Sequence, residues 1–446
     1  MTFLLQIMIG IFVLGILVVI HELGHFFAAK ACRIGVLSFS IGFGKPVYKK
    51  KIGETEYRIS SIPFGGYVHM KGEHPEDAQQ QAEDSFMSKP VWQRASVAIA
   101  GPAANIISSI FFLWLVFVIG VPHEKYLDRP VVGSVVDSSV AYEAGIAPGD
   151  SIIAINSIPV STWEEIQRKL AYQESEYKIT YIRKGITQNT VLKLNGNRGD
   201  DILNNSPTGL MACYPAQIGS VNNNSPAEKT GLQKNDFILS INNTPIYSWF
   251  QFSDIVSRYH PLDGPMNIIL RRNGSTVSVS VKPSFNKEAN RYLLGIQVAA
   301  PETRTIQYNA VKAIFKALDK SLEYTTMIFE VLSKLLSAAI SPKQLAGPVG
   351  IIQMSGAVAL ISIVQLLNFM ALIGINLGVL NLFPLIITDG GVLFFLLIES
   401  IRRKPLSLKA QMLMNRIAIS LFITLFLFVT FQDFLRIPKL LKLFGQ

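Results

Sequence analysis

Four stretches of the chain contain almost no charged side chains and few polar ones. A helix needs about 20 apolar residues to cross a hydrocarbon core of roughly 30 Å, and each stretch is close to that length or longer. We therefore predict four transmembrane helices, over residues 1–30, 95–121, 358–383 and 416–435. A cleaved signal peptide is the alternative for the first range, although it has neither a basic segment before it nor a small-residue cleavage site after it.

The third stretch is uncharged from residue 345 to residue 388, which is about twice the length that one span requires. Pro348, Gly350 and Gly356 near its start and Pro384 near its end predict breaks, because proline removes a helical hydrogen bond. We predict amphipathic connecting helices over 301–357, ahead of the third span. After that span we predict a loop and a cytoplasmic segment over 384–415.

Apolar and small residues alternate after the first span. The apolar residues are Leu37, Phe39, Ile41 and Phe43, and the small residues between them are Ser38, Ser40, Gly42 and Gly44. A period of two is typical of a strand and not of a helix. We therefore predict a membrane-associated β-sheet within residues 31–94, and the alternative is an ordinary amphipathic hairpin in the cytoplasm.

One sequence pattern occurs twice between the second and third spans. Gly133, Ala141, Asp150 and Trp163 recur as Gly219, Ala227, Asp236 and Trp249, always 86 residues later. We predict two tandem copies of one β-rich domain, at 128–207 and 208–300. The pattern resembles that of bacterial PDZ domains, which implies that each copy binds a peptide C-terminus at a sheet edge. The alternative is that the copies are spacers with an empty groove.

The composition supports a membrane protein. Of 446 residues, 49% are hydrophobic and 16% are charged, whereas an average soluble domain has about 25% charged residues. The net charge of +10 is spread over the loops without the basic and aromatic clusters of a nucleic-acid interface, so we expect no nucleic-acid partner. Cys32 and Cys213 are far apart and predict neither a disulfide framework nor a thiolate metal site.

Basic residues in the short loops predict the orientation. They follow the first span and also connect the third span to the fourth; the set is Lys30, Arg33, Lys49, Lys50, Lys51, Arg402, Arg403, Lys404 and Lys409. The positive-inside rule makes both loops cytoplasmic. The region from 122 to 344 and both chain ends then face the opposite side, although the basic C-terminal tail favours the reverse.

The first span ends in His21-Glu22-Leu23-Gly24-His25. Two histidines four residues apart project from one face of a helix and suit two nitrogen ligands of zinc. Glu22 lies beside them, where it can accept a proton from water. Three ionisable side chains at the end of an apolar span are costly in lipid, and a metal site explains why they are tolerated.

A tetrahedral zinc ion needs a third protein ligand and an open position. Asp389 is the only acidic residue between Glu330 and Glu399, and it lies beside a Gly-Gly break in an apolar stretch. This position makes it the best candidate for the third ligand. The alternative is a helix-capping aspartate at the membrane interface.

The motifs together resemble the site-2 protease family of intramembrane zinc metalloproteases, peptidase family M50. They are His21-Glu22-x-x-His25, Gly101-Pro102-x-x-Asn105 and Asn381-x-x-Pro384-x-x-x-x-Asp389-Gly390, with the Ile41-Gly42-Phe43-Gly44 run between them. The resemblance implies a polytopic α-helical membrane protein with four transmembrane helices, a membrane-associated β-sheet after the first span and two tandem β-rich PDZ domains.

The resemblance also implies residue roles. Zn²⁺ is the cofactor, His21, His25 and Asp389 are its ligands, and Glu22 is the catalytic base. Asn381 helps to hold the substrate or the developing oxyanion, beside Pro384. Since a helical substrate must unwind before it can be cut, we expect a sheet edge at Gly42, Phe43 and Gly44 to pair with it. The chain departs from the family at Ile386, Thr388 and Val392, which puts the shape of this loop in doubt.

The implied substrate is a single-pass membrane protein, namely an anti-sigma factor of the sigma-E envelope stress response already trimmed on the periplasmic side. Remnant signal peptides are a further candidate. The implied location is the inner membrane of a Gram-negative bacterium, with the PDZ pair periplasmic and gating an active site near the cytoplasmic side. The alternatives are a non-enzymatic receptor, in which a structural metal needs no adjacent Glu22, and a metal transporter, for which the spans offer few polar residues.

Overall fold

The computed structural model describes residues 2–73, 82–171, 176–193, 208–287, 290–337, 347–385, 388–404 and 408–444. The chain divides into two compact units. One unit comprises Met1–Val121 with Ile306–Gln446, and the other comprises Pro122–Thr305.

The first unit begins with a helix, two long strands and a second helix: α1 (Thr2–Ala31), β1 (Val36–Ile52), β2 (Thr55–Met70) and α2 (Val91–Ile119). Both helices are long and apolar enough to cross a membrane. The second one begins four residues before the predicted start at 95. It continues through Pro102, which sits inside the helix.

The paired strands β1 and β2 bend, so that residues 38–41 of β1 have partners from β2 on both sides. Ile41 pairs with Ile59 on one side and with Gly66 on the other. Residues 38–41 are therefore central in the sheet and are not an edge. Among the described residues, the free edges are residues 46–52, which pair only with 55–60, and residues 62–69, which pair only with the first half of β1.

The second unit contains fourteen whole strands. Two further strands, one at each end of this unit, lie partly in it and partly in the first unit. In chain order its elements are β3 (Val121–Glu124), β4 (Val132–Val135), α3 (Val140–Glu143), β5 (Ser151–Ile155), β6 (Ile158–Pro159), α4 (Trp163–Ala171), β7 (Glu176–Arg183), β8 (Ile186–Lys193), β9 (Leu210–Ala212), β10 (Ile218–Val221), α5 (Pro226–Lys229), β11 (Phe237–Ile241), β12 (Thr244–Pro245), α6 (Trp249–Ser257), β13 (Met266–Arg272), β14 (Ser275–Val281), β15 (Ser284–Asn286), β16 (Arg291–Leu293), β17 (Ile296–Val298) and β18 (Thr303–Ile306).

The second unit contains the same arrangement twice. The strand orders β6-β5-β7-β8 and β12-β11-β13-β14 form two antiparallel sheets, and the additional pairs β4-β9 and β10-β17 match each other. Each copy encloses its own apolar core. Since β9 (Leu210–Ala212) pairs with β4 of the first copy, the predicted boundary between residues 207 and 208 is wrong: the first copy extends to about residue 212.

Each copy contains an equivalent ion pair between a buried aspartate and an arginine. Asp150 is almost fully buried and accepts hydrogen bonds from two nitrogens of Arg183, both at 2.7 Å. Asp236 is paired in the same way with Arg272. The hydrogen bonds to Asp150 raise the pKa of the Arg183 guanidinium above its ordinary value.

The chain returns to the first unit with five helices: α7 (Ala310–Leu336), α8 (Pro348–Ile361), α9 (Ile363–Leu382), α10 (Asp389–Arg402) and α11 (Leu408–Phe444). Apolar windows within α9 and α11, the latter at Met412–Asp433, complete four candidate membrane spans among the described residues. The predicted number of spans is confirmed. The range 301–357 differs from the expectation of helices alone, because it begins with the strand β18.

The predicted third span, 358–383, crosses a helix break. Ser362 has extended backbone angles, and its hydroxyl accepts a hydrogen bond from the N–H of Val364. A serine N-cap of this kind starts a new helix. Residues 358–361 therefore belong to the end of α8, and the apolar composition gave no sign of this break.

Glycines bring the membrane helices into close contact. A Cβ atom at Gly24 would lie 2.2 Å from the carbonyl oxygen of Ala100, where α1 meets α2. A Cβ at Gly374 of α9 would lie 2.2 Å from the Ser109 hydroxyl of α2. Small residues allow such approaches between apolar helices. These contacts hold α1, α2 and α9 together around the residues described next.

Candidate metal centre

Three side chains from distant parts of the sequence converge on one point. His21 Nε2 lies 3.2 Å from His25 Nε2 and 3.2 Å from an Asp389 oxygen, and His25 Nε2 lies 3.3 Å from the other Asp389 oxygen. Among the described residues, this is the only group of three or more histidine, cysteine or acidic side chains arranged to hold a metal ion.

The spacing of these atoms fits zinc. Ligand atoms at tetrahedral angles lie about 3.3 Å apart when each is roughly 2.0–2.1 Å from the metal. Two imidazole nitrogens and a carboxylate oxygen are also donors that zinc accepts, and three protein ligands leave a fourth position open. The donor set and its geometry therefore fit the ion.

A backbone carbonyl fixes the orientation of His25. Its Nδ1 lies 2.8 Å from the carbonyl oxygen of Val97 on α2. Because a carbonyl oxygen only accepts, Nδ1 carries the proton and Nε2 is left with a free lone pair facing Asp389. Partners of this kind orient metal-binding histidines. A Cβ at Gly101 would lie 2.3 Å from His25 Nε2, so only glycine at this position leaves room for the ring.

Asn105 holds the other histidine. Its side-chain amide lies 3.2 Å from His21 Nδ1, and its Oδ1 is buried without a hydrogen-bond partner in the described part of the chain. When Nε2 binds a metal, Nδ1 carries the proton and needs an acceptor. The oxygen and the nitrogen of a side-chain amide are assigned from such contacts. Rotation of the Asn105 amide would offer Oδ1 to the Nδ1 proton of His21, so the unpaired buried oxygen fits a His21 ring whose Nε2 binds a metal.

Asp389 is the first residue of α10, and the loop before it is held together by Thr388. The Thr388 hydroxyl donates to the carbonyl oxygens of Phe383 and Leu385, at 2.9 and 2.8 Å. A Cβ at Gly390 would lie 2.1 Å from the Phe383 carbonyl oxygen, so glycine is required there. Residues 386–387, which include Ile386, lie outside the described residues, and Val392 follows on α10.

Glu22 lies next to His21 on α1 and close to the sheet. A Cβ at Gly66 would be 3.3 Å from Glu22 Cγ. Gly66 belongs to residues 62–69, which form one of the free edges. The Glu22 side chain therefore follows His21 on α1 and lies beside a strand edge.

The remaining predicted site residues lie on α9, on the loop after it and on β1. Asn381 is in the last turn of α9, and Pro384 is exposed in the loop that follows it. No described contact joins either residue to the His21, His25 and Asp389 group. Gly42 and Gly44 both have positive φ, and the ring of Phe43 stacks on Tyr67 with centroids 6.1 Å apart.

The sequence patterns identified the candidate ligands but not the groups that orient them. The Gly101-Pro102-x-x-Asn105 motif was visible, yet the motif alone did not relate Gly101 to His25 or Asn105 to His21. The contact from Val97 uses a backbone atom, so no side-chain pattern could reveal it.

The fold and the cluster together define a class, the metal-dependent proteases of membranes. Apolar helices carry an HExxH motif whose two histidines meet a remote aspartate, and the glutamate of the motif is the usual base of a metalloprotease.

Comparison with known proteins is consistent with this class and gives the family. The model of peptidase family M50 matches residues 9–425. The chain is 36% identical over 454 residues to a regulator of sigma E protease from Haemophilus influenzae, covering 98% of this chain and all of that protein. It is 35% identical over 463 residues to RseP of Escherichia coli, the regulator of sigma-E protease, with the same coverage. A Pasteurella multocida protein named as a zinc metalloprotease is 35% identical over 453 residues, also covering 98% of this chain and all of that protein.

The chain belongs to peptidase family M50. It is a metalloprotease of the membrane, and zinc is its cofactor. The alternatives of a non-enzymatic receptor and a metal transporter are thereby set aside.

Proposed function

We propose that this chain cleaves a transmembrane segment of single-pass membrane proteins, with His21, His25 and Asp389 as the zinc ligands and Glu22 as the catalytic base. The observation that carries the proposal is the convergence of His21 Nε2, His25 Nε2 and the two Asp389 carboxylate oxygens, with contacts of 3.2–3.3 Å. It lies on the C-terminal third of an apolar helix, where a carboxylate is costly to bury and a cation offsets its desolvation.

When bound, zinc supplies Lewis acidity that polarises a scissile carbonyl and makes a water molecule acidic. Glu22 would accept a proton from the attacking water and pass it to the leaving amine, as a general base and then a general acid. The His25 proton stays on Nδ1, held by the Val97 carbonyl. Asn381, as the family resemblance implies, donates its amide to the substrate or to the developing oxyanion, beside Pro384.

A substrate helix hides its carbonyl groups in its own hydrogen bonds, so it must unwind before cleavage, and the freed groups need partners. A strand edge offers such partners. The edge at residues 62–69 is better suited than the central strand, because it runs past Glu22 at Gly66. Gly42, Phe43 and Gly44 then support this edge, since Phe43 pairs with Ile62.

Proline scanning tests the edge. Proline placed singly at Gly66 and at Tyr67 should lower cleavage for at least one of the two, because one of two adjacent N–H groups points away from β1 and is lost. Val47→Pro on the other free edge is the control and should leave cleavage unchanged. Zinc content should stay at the wild-type level in all three variants. Unchanged cleavage in both edge variants would contradict the role of this edge.

The substrate class follows from the relatives, which are regulators of sigma-E protease by name. We propose an anti-sigma factor, already shortened on the periplasmic side, as the main substrate in the inner membrane, and remnant signal peptides as a second class. Mass spectrometry of a tagged single-span substrate tests this proposal. A cut within the apolar span is expected, whereas a cut confined to the extramembrane parts would contradict intramembrane cleavage.

We further propose that the two repeats of the second unit are periplasmic PDZ domains that bind peptide C-termini and restrict access to the protease. Support comes from their matched sheets and from the PDZ-like sequence pattern. Removing residues 128–300 should allow cleavage of an untrimmed substrate, which the full chain refuses. The trimmed substrate is the control, and it should be cut by both forms. Continued refusal of the untrimmed substrate would contradict gating.

A further inference from the structure

An ion pair between a buried arginine and a partly buried glutamate joins two helices that both contribute to the candidate metal centre. Arg94 of α2 is 5% exposed. Its two terminal nitrogens contact the two oxygens of Glu399 on α10, at 3.1 and 2.5 Å. Its Nε donates to the carbonyl oxygen of Lys89 at 3.0 Å. The Arg94 guanidinium is thus held at Nε as well as at its terminal nitrogens, and its partner is 305 residues away in sequence.

Arg94 lies on the part of α2 that supports the histidines. Val97, whose carbonyl holds His25, is one turn further along, and Gly101 and Asn105 follow on the same helix. Glu399 is ten residues after Asp389 on α10, which is about 15 Å along a helix. The pair therefore connects the helix that orients the histidines to the helix that carries the candidate third ligand, without touching a ligand itself.

Such a pair is costly to bury and contributes little to stability on average, because both charges lose their hydration. A better-attested use is to fix register. Two parallel hydrogen bonds between a guanidinium and a carboxylate set direction as well as distance. A slip of α10 by one turn would move Asp389 by about 5.4 Å, which is further than the separation of the ligand atoms.

We propose that Arg94 and Glu399 are positioning residues that set the register of α10 against α2 and thereby hold Asp389 at the zinc ion. This inference rests on the proposed zinc centre. It predicts that the pair controls metal affinity and metal geometry, and not only the stability of the fold.

The test uses the full-length chain purified in detergent, with zinc affinity measured by chelator competition and cobalt geometry by the visible absorption of the Co²⁺-loaded protein. Glu399→Gln and Arg94→Lys each lose the two-bond geometry. Both should weaken zinc binding by about 10- to 100-fold and alter the cobalt bands. Tyr324→Phe removes a different buried contact of the same unit, the hydrogen bond to Asn368, and should leave both readouts unchanged.

The reversed pair, Arg94→Glu with Glu399→Arg, covers the case in which a single variant fails to fold. Recovery of zinc affinity in the folded double variant supports positioning. Wild-type zinc affinity and cobalt bands in folded Glu399→Gln and Arg94→Lys would overturn it, as would a folded reversed pair that still binds zinc weakly. Asp389→Ala separates the two proposals: if it keeps wild-type zinc affinity, the zinc centre itself is wrong.

Discussion

The two units of this chain are assembled in opposite ways. Each repeat of the second unit is built from a continuous segment, with its own core and its own buried ion pair. The metal centre of the first unit joins residues 21 and 389, and it depends on α2 for support. Because each repeat has its own core, we expect a change inside one core to act mainly on that copy. Assembly over long distances makes the centre sensitive to any residue that spaces the helices.

The largest effect should come from Gly101→Ala. The added Cβ would overlap His25 Nε2 at 2.3 Å and displace the ring from the centre. We expect a greater loss of zinc affinity than the roughly 10- to 100-fold that follows removal of a supporting hydrogen bond, measured by chelator competition. Gly15→Ala on α1 is the control, because a Cβ there meets nothing within 4 Å. Equal zinc affinity in Gly101→Ala and Gly15→Ala would contradict the claim that the metal centre is sensitive to residues that space the helices.

Asp150→Ala should destabilise the first repeat alone. The substitution removes two hydrogen bonds from Arg183 and one from the N–H of Ala147. We expect a cost of about 2–3 kcal/mol, discounted because Arg183 is one-third exposed. Hydrogen exchange should report lost protection in that repeat only, with normal zinc affinity. Asp236→Ala should do the same in the second repeat, and loss of protection in both repeats from one substitution would contradict local assembly.

Asn105→Ala should weaken zinc binding without unfolding the chain. The variant deprives the His21 Nδ1 proton of its acceptor, and such losses typically cost about 10- to 100-fold in metal affinity. Ser108→Ala is the matched control, since Ser108 only donates to the Asn105 carbonyl on the same helix. If Asn105→Ala binds zinc as tightly as the wild type, the amide does not support His21.

The smallest effect should come from the helix caps of the repeats. Ser139 caps α3 and Ser225 caps α5, each by accepting a backbone N–H three residues on. Replacing either serine by alanine should cost about 1 kcal/mol, measured by local hydrogen exchange. The two costs should agree within error, and a large difference would show that the repeats are less alike than their matching contacts indicate.

The repeats were the easiest part to predict, because their residues recur at a constant spacing of 86 and their contacts are local. Only the boundary between them was misplaced, since β9 returns to pair with β4 after a long connection. The four spans were equally visible as apolar runs. The break at Ser362 was not, because one serine in an apolar run carries little signal.

The ligand candidates could be chosen from the sequence since ionisable residues are rare in its apolar stretches. Their supports could not. Gly101 acts by leaving space, Val97 acts through its backbone, and Arg94 meets Glu399 only after α2 and α10 have packed. The sheet could be predicted from its period of two, but this period does not tell a central strand from an edge, and the edge at residues 62–69 is defined only once β1 and β2 have paired.

The most direct test measures zinc content and cleavage on the same preparations of the full chain, using a tagged single-span substrate. The wild type should contain one zinc ion per chain and cut within the span, and it should lose activity with a chelator and regain it with zinc. Glu22→Gln should keep the zinc and lose cleavage, whereas Asp389→Ala should lose both. Cleavage by Glu22→Gln at the wild-type rate, or wild-type zinc content in Asp389→Ala, would contradict the account.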